Sequence, residues 1–216
     1  MKIREEEFNL FGVNTYIVWD EATGEAAIVD PGMMTRQEEE RLSDEISELG
    51  VTPKHLINTH LHIDHTFGNE YVKNTYGLKT EANKGDAPLG ESIAGQAKMF
   101  RLRVDTPAPL TIDHELKEGD KIYLGKEALE VIEVPGHSPG SIVLYAPESG
   151  FMITGDVLFR GSIGRTDLPG GNGRQLVEGI RRKLLNLPPD TIIYPGHGPA
   201  TTLKAEIEGN PYIRMF

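Results

Sequence analysis

Three of the seven histidines stand in one short segment, "NTHLHIDHTFGN", at residues 58–69. They are His60, His62 and His65, and Asp64 lies between the last two. Imidazole and carboxylate groups are ligands that zinc, iron and manganese accept. Three protonated imidazoles so close together would repel one another, whereas a cation would organise them as neutral ligands. The segment therefore predicts a metal site.

Polar residues also follow apolar runs directly at four other points of the chain. These residues are Asp30 in "AIVDPG", His137 in "VPGHSPG", Asp156 in "MITGD" and His197 in "YPGHGP". Loops at strand ends build sites on a rigid scaffold, so we expect these side chains to meet the histidine segment. Asp30 fits better as a residue that orients a metal-bound histidine than as a ligand.

Without Asp30, the candidate ligands number seven. Two neighbouring metals need about seven protein ligands if each is to keep an open position for water or substrate. His60 and His62 are two residues apart and face the same way on extended chain, while Asp64 and His65 follow a turn later and can face a second ion. The spacing thus predicts two divalent ions, with zinc first and iron or manganese as alternatives. His55 and His114 fit no such pattern, and we expect them to be structural or exposed.

The composition narrows the classes of partner. The 216 residues contain no cysteine, which excludes thiolate ligands, disulfides and a cysteine nucleophile. The formal net charge of -11 disfavours nucleic acid and anionic membranes as partners. The charged opening "MKIREEEFNL" shows no secretory signal and no apolar run approaches membrane-spanning length, so we expect a cytoplasmic protein.

The elements that must position these residues alternate between strands and helices. "VNTYIVW" and "AAIVDPG" predict a hairpin, "TRQEEERLSDEISELG" predicts a helix with a Thr35–Glu38 capping box and a Gly50 stop, and "HLIN" predicts a buried strand. A helix is expected over 67–76 and over part of 81–103, with a loop at "TPAPL". Paired strands, a hairpin, the glycine-rich loop "RGSIGRTDLPGGNG", a helix at "RQLVEGIRRKLLNL" and the strand "TIIYPGHG" follow. We predict one domain over 1–216, of mixed α/β class, with outer helices.

"THLHIDH" resembles the HxHxDH signature of the metallo-β-lactamase fold, and His137, Asp156 and His197 match the later ligands of that family in order and context. The resemblance covers nearly the whole chain and implies a four-layer αβ/βα sandwich, in which two mixed sheets lie face to face with helices outside. It implies a first metal held by His60, His62 and His137. It implies a second metal held by Asp64, His65 and His197, with Asp156 as the bridge, and we assign a catalytic role to Asp64 and Asp156.

Within the family, the complete ligand set and "PGHGPATT" followed by "NPY" most resemble the short bacterial hydrolases of glyoxalase II type. Glyoxalase II hydrolyses S-D-lactoylglutathione, and the resemblance implies attack on a small-molecule thioester by a hydroxide that bridges the metals. We expect no C-terminal helical domain of the kind with which the longer enzymes contact glutathione. Where those enzymes use a lysine and a tyrosine, this chain has Arg165 and Asp167, so we expect Arg165 to bind a substrate carboxylate.

Three other interpretations stay open at this point. "RGSIGRTD" also resembles the corresponding loop of iron-dependent persulfide dioxygenases, whose single iron is held by equivalents of His60, His137 and Asp156. Lactone hydrolysis is a second alternative, because fold similarity does not fix the substrate. A non-catalytic metal-binding module would account for the ligands, although not for a bridging carboxylate beside open positions.

Overall fold

The computed structural model describes residues 1–102 and 108–214. Arg103 and the first two residues of "TPAPL" lie outside these ranges, so the predictions made there stay predictions.

Two mixed six-stranded sheets form the body of the molecule. The strands of the first sheet neighbour one another in chain order: β1 (Lys2–Phe8), β2 (Val13–Trp19), β3 (Glu25–Val29), β4 (Thr52–Ile57), β5 (Thr80–Ala82) and β6 (His114–Glu115). The second sheet contains β7 (Lys121–Leu124), β8 (Glu127–Glu133), β9 (Ile142–Ala146), β10 (Phe151–Gly155), β13 (Ile192–Pro195) and β14 (Thr201–Thr202). Its order is β14-β13-β10-β9-β8-β7, and a separate two-stranded ribbon pairs β11 (Leu158–Phe159) with β12 (Ser162–Ile163).

Seven α-helices accompany the sheets in the described residues. They are α1 (Arg36–Leu49), α2 (Asn69–Tyr76), α3 (Ala87–Glu91), α4 (Ile93–Met99), α5 (Gly173–Gly179), α6 (Leu203–Gly209) and α7 (Pro211–Arg214). The predicted capping box begins α1, where Glu38 N donates to Thr35 Oγ1 and Thr35 N donates to Glu38 Oε2. Gly50 ends the helix in the left-handed region at φ 65°, as its position in the sequence predicts.

Successive side chains along each strand point to opposite faces of its sheet, and this alternation creates the layers of the fold. Tyr16 and Val18 of β2 point into the core between the two sheets, whereas Ile17 points to the outer face. On that outer face, Leu42 and Ile46 of α1 pack against the first sheet. Across the molecule, α5 and its π-helical continuation (Ile180–Leu184) cover the second sheet with three buried side chains, Leu176, Ile180 and Leu184. The helix–sheet–sheet–helix order confirms the predicted four-layer sandwich.

The structure differs from the elements predicted by the sequence mainly in short segments. The charged segment "KIREEEF" forms edge strand β1, although it lacks the apolar character of a buried strand. The segment after Asp156 forms the β11–β12 ribbon, whose second strand lies in the glycine-rich loop and whose first strand contacts the second sheet. The expected helix within 81–103 is divided into α3 and α4, with Ser92 between them. In the described part of the chain, no helix is both long and apolar enough to cross a membrane.

Candidate metal centre

The predicted ligands all follow strand ends at one edge of the sandwich. The β4 strand leads into the histidine segment, where a 3-10 turn (Ile63–His65) separates His60 and His62 from His65. The second sheet contributes His137 after β8, Asp156 after β10 and His197 after β13. A backbone hydrogen bond joins the two sheets at this edge, where Asn14 N donates to Gly196 O at 2.8 Å. The edge therefore unites residues from sequence positions 60 to 197.

His60, His62 and His137 form the first group of side chains, and all three are buried. His62 Nδ1 lies 2.8 Å from His137 Nε2, and His60 Nε2 lies 3.3 Å from the same atom. The ligand atoms of a tetrahedral zinc stand about 3.3 Å apart, given zinc–nitrogen bonds of about 2.0 Å. The group thus has the dimensions of one metal site.

Asp64, His65 and His197 form the second group. His65 Nε2 lies 3.2 Å from His197 Nε2, and His197 Nε2 lies 3.4 Å from Asp64 Oδ2. A turn between His62 and His65 thus directs the two halves of the histidine segment to two different groups, as the spacing predicts.

Asp156 lies between the two groups. Its Oδ2 is 3.5 Å from His137 Nε2 and its Oδ1 is 3.4 Å from His65 Nε2, so one carboxylate reaches both. Asp156 Oδ1 is buried and has no hydrogen-bond partner among residues 1–102 and 108–214. A buried carboxylate oxygen without a partner is costly unless a cation neutralises it, so the position fits a shared metal ligand.

The outer ring nitrogens of three of these histidines face carboxylate or carbonyl oxygens. His65 Nδ1 donates to Asp30 Oδ2 at 3.1 Å, and His137 Nδ1 donates to Arg165 O at 2.8 Å. His197 Nδ1 faces the carbonyl oxygens of Phe11 and Gly12, each at 3.1 Å. Because carboxylates and carbonyls only accept, these bonds fix the tautomer and leave Nε2 with a free lone pair toward the centre.

Asp30 completes this outer layer. It is buried, and it accepts hydrogen bonds from Thr59 N at 2.7 Å and from Thr59 Oγ1 at 2.6 Å. Since the Thr59 hydroxyl donates to Asp30, its oxygen can accept from His60 Nδ1 at 3.1 Å. Asp30 therefore orients His65 directly and His60 through Thr59. Asp30, His60 and His65 also form a third group close enough to hold an ion, so the outer role of Asp30 stays a prediction.

Burial and neighbouring charges give the two groups different proton affinities. Burial, with the nearby His137, lowers the pKa of His62 to about 4. Burial alone would lower the pKa of His65 as well, but the carboxylates of Asp156 and Asp64 raise it well above its usual value. His60 and His62 of the first group therefore favour the neutral, ligating form, whereas His65 lies beside the carboxylates of Asp64 and Asp156, whose charge a cation would balance.

Sequence and structural comparisons agree with this geometry. Residues 8–197 match the model of the Metallo-beta-lactamase superfamily. The chain belongs to this superfamily. It is 39% identical to the hydroxyacylglutathione hydrolase GloC of Haemophilus influenzae, over 94% of this chain and 93% of that protein.

Two solved structures resemble this chain over nearly its whole length. BLEG-1, described as a B3 metallo-beta-lactamase, has a TM-score of 0.88 and 32% identity, covering 99% of this chain and all of that one. TTHA1623, solved in a di-iron-bound form, has a TM-score of 0.83 and 34% identity, covering 97% and 99%. The predicted family resemblance is confirmed, and a metal-dependent hydrolase is the class that these relatives support.

An open cavity of about 610 Å³ gives access to the candidate metal centre. Both metal groups reach it, and Phe11, Phe100, Phe159 and Leu168 form apolar parts of its wall. Arg165 also lines it, but its guanidinium is bound in two places by Asp167, at 2.7 Å for each nitrogen–oxygen pair. This exposed ion pair lowers the pKa of Asp167 to about 2. Substrate binding by Arg165 stays a prediction, since its charge is already paired.

Asp86 is a buried residue that the sequence analysis missed. Its Oδ2 accepts from Leu61 N at 2.9 Å and from Ser138 Oγ at 2.8 Å, and its Oδ1 accepts from Gly140 N at 2.6 Å. Leu61 lies between His60 and His62, and Ser138 follows His137, so one carboxylate fastens both loops of the first metal group. The sequence gives only a weak indication of this role, because Asp86 is simply a polar residue that follows a short strand in "TEANKGD".

Gly196 lies so close to the candidate ligands that it has no room for a side chain. A Cβ on Gly196 would lie 2.3 Å from Asp156 Oδ1 and 2.8 Å from His65 Cε1. The glycine before His197 therefore lets the β13 backbone pass directly beside the shared carboxylate.

Proposed function

We propose that the chain is a binuclear metal-dependent thioester hydrolase of glyoxalase II type. The observation that carries the proposal is the pair of ligand groups that share Asp156 and open into one cavity. The similarity to GloC, a hydroxyacylglutathione hydrolase, supports a thioester as the substrate class. S-D-lactoylglutathione is the first substrate to test.

Each ligand has a role in this proposal. His60, His62 and His137 hold the first ion. Asp64, His65 and His197 hold the second, and Asp156 bridges the two. Two bound divalent ions, with zinc proposed first, would lower the pKa of a shared water toward about 7 and polarise the thioester carbonyl.

The outer hydrogen bonds contribute preorganisation. Asp30 and the carbonyl of Arg165 hold His65 and His137 in the tautomer that presents Nε2, so no ligand has to reorient when the substrate arrives. The phenyl rings of Phe11 and Phe100 meet edge to face, with centroids 6.0 Å apart, and give the cavity wall an apolar surface. A thiolate is a good leaving group, so cleavage does not require a strong general acid.

Arg165 is proposed to bind a carboxylate of the thiol portion of the substrate. It lines the cavity and carries a planar guanidinium suited to bidentate binding. Asp167 competes for the same donors, so a substrate carboxylate would have to displace it.

The test is thiol release from S-D-lactoylglutathione by protein of known metal content. We expect hydrolysis at two ions per chain and its loss after removal of metal by a chelator, with recovery when zinc is restored. The same preparation is tested for the two alternative reactions, which are oxygen uptake with glutathione persulfide and ring opening of a lactone. Absence of thiol release at every metal loading, together with turnover of either alternative substrate, would reject the thioesterase proposal.

A further inference from the structure

A second cavity of about 480 Å³ adjoins the metal cavity. The two share His62, Phe100 and Leu168 in their walls, so they lie side by side at the first metal group. Its volume lies in the range of small-molecule binding sites. A substrate seated over the centre could thus extend into this second cavity, which we call the side pocket.

The side pocket is apolar. Leu89, Met99, Phe100 and Leu168 line it together with Pro88 and Pro139. His62 is the one ionisable side chain among its described lining residues. The amide of Gln96 is satisfied by the backbone, because it donates to Leu61 O and Leu89 O and accepts from Ile63 N. The pocket therefore offers little to a charged or strongly polar group.

The wall of the side pocket is fixed to the metal centre. Ile63, within the histidine turn, packs against Ile93 and Ala97 of α4. Gln96 bonds to the backbone on both sides of His62. The distance between pocket and metal group is therefore set by buried contacts rather than by a free loop.

We propose that the side pocket binds an apolar acyl chain, so that the substrates are thioesters of medium-length fatty or aromatic acids rather than of lactate alone. This inference rests on the proposed thioesterase function. A thioester carbonyl at the centre divides the substrate into an acyl arm and a thiol arm. Glutathione as the thiol arm carries two carboxylates, which an apolar pocket disfavours, whereas Arg165 lies in the other cavity. The acyl arm is therefore the one that matches the side pocket.

The first experiment compares acetyl, butanoyl and hexanoyl thioesters of glutathione, with D-lactoyl as the reference. Burial of one methylene is worth about a twofold to fourfold gain in kcat/KM. We expect kcat/KM to rise at least about tenfold from acetyl to hexanoyl. Equal values for all chain lengths would overturn the side-pocket proposal and leave the thioesterase proposal standing.

Gly95→Leu fills the pocket without touching a metal ligand. Gly95 lies on α4 and lines the pocket, and a Cβ there would meet the Ser92 hydroxyl at 2.5 Å, a side chain that can rotate away. Leucine also favours the helix over glycine, so the variant is expected to fold. We expect it to lower kcat/KM for the hexanoyl thioester about tenfold and to change that for the acetyl thioester less than twofold.

Ala94→Leu is the matched control, because Ala94 is an exposed neighbour on the same helix and is not among the described lining residues. It should leave both thioesters unchanged. An equal loss in the two leucine variants, or an equal loss for both thioesters in Gly95→Leu, would contradict an acyl-chain pocket.

Binding of S-hexylglutathione and S-methylglutathione separates the two proposals, because thioethers cannot be hydrolysed. Calorimetry should show at least about tenfold tighter binding of the hexyl compound, and Gly95→Leu should remove this difference. That result without hydrolysis of any thioester would reject the thioesterase and keep the pocket. Equal affinities of the two thioethers would overturn the side-pocket proposal. A dimer that is seen in sedimentation and that Gly95→Leu dissociates would overturn it too, because a second copy of the chain would then occupy the pocket.

Discussion

Replacing Asp86 with asparagine tests whether one buried carboxylate holds the two loops of the first metal group. The carboxylate accepts three hydrogen bonds, two at Oδ2 from Leu61 N and Ser138 Oγ and one at Oδ1 from Gly140 N. The asparagine amide has nearly the same shape but only one accepting oxygen. With that oxygen kept toward Leu61, its NH₂ group faces the Gly140 N–H, donor against donor.

The magnitude follows from that mismatch. A hydrogen bond to a charged acceptor contributes about 1.5–3 kcal/mol, and an unpaired buried N–H costs about 1–3 kcal/mol. Burial raises the pKa of Asp86, although its hydrogen bonds lower it in part, so removing the charge recovers some desolvation energy. We therefore expect Asp86→Asn to reduce the free energy of unfolding by about 2–3 kcal/mol.

Metal affinity is the measurement that separates a positioning role from plain packing. Outer residues that orient metal ligands typically contribute about tenfold to a hundredfold in affinity. Because Asp86 contacts the loops of His60, His62 and His137 only, we expect one of the two zinc ions to bind about tenfold more weakly in chelator competition. The second ion should bind as in the unchanged protein.

Asp44→Asn is the control, because Asp44 is exposed on α1. It should change the free energy of unfolding by less than about 0.5 kcal/mol. Unchanged urea unfolding of Asp86→Asn would refute the three hydrogen bonds. A loss of stability with unchanged affinity for both ions would refute its role in positioning the first group.

Outcomes are expected for five further substitutions. Asp156→Asn removes the shared carboxylate charge, so elemental analysis should find at most one ion per chain and thioester kcat/KM should fall at least about a hundredfold; retained activity would contradict the bridging assignment. Arg165→Ala should raise KM for glutathione thioesters about tenfold if Arg165 binds a carboxylate, whereas Asp167→Ala should lower KM by freeing the same guanidinium. Leu42→Ala empties a buried position under α1 and should cost about 2–4 kcal/mol in urea unfolding. Thr35→Ala removes the side-chain cap of α1 and should cost about 1 kcal/mol by the same measurement.

Local patterns in the sequence sufficed to predict most elements and to name the candidate ligands that the structure brings together. Helix α1 was predictable in both bounds, because a capping box and a terminal glycine act on neighbouring residues. The division of the histidine segment between two groups was predictable from its spacing, since two-residue and turn periodicities are local properties. The family motif then implied the sandwich, which the two six-stranded sheets confirm.

Contacts between distant segments were decided only by the tertiary structure. Asp86 fastens residue 61 to residues 138 and 140, and no pattern around "KGD" indicates such partners. The sequence does not predict that Arg165 and Asp167 bind each other. In the structure their bidentate ion pair already balances the charge of Arg165. The side pocket exists because α4 packs on Ile63 while Leu168 closes from the opposite loop. The sequence alone thus determined which side chains are candidate metal ligands, and the structure brings them together, because ligand chemistry depends on residue type and spacing. What surrounds that centre depends on long-range packing, which residue type and spacing do not specify.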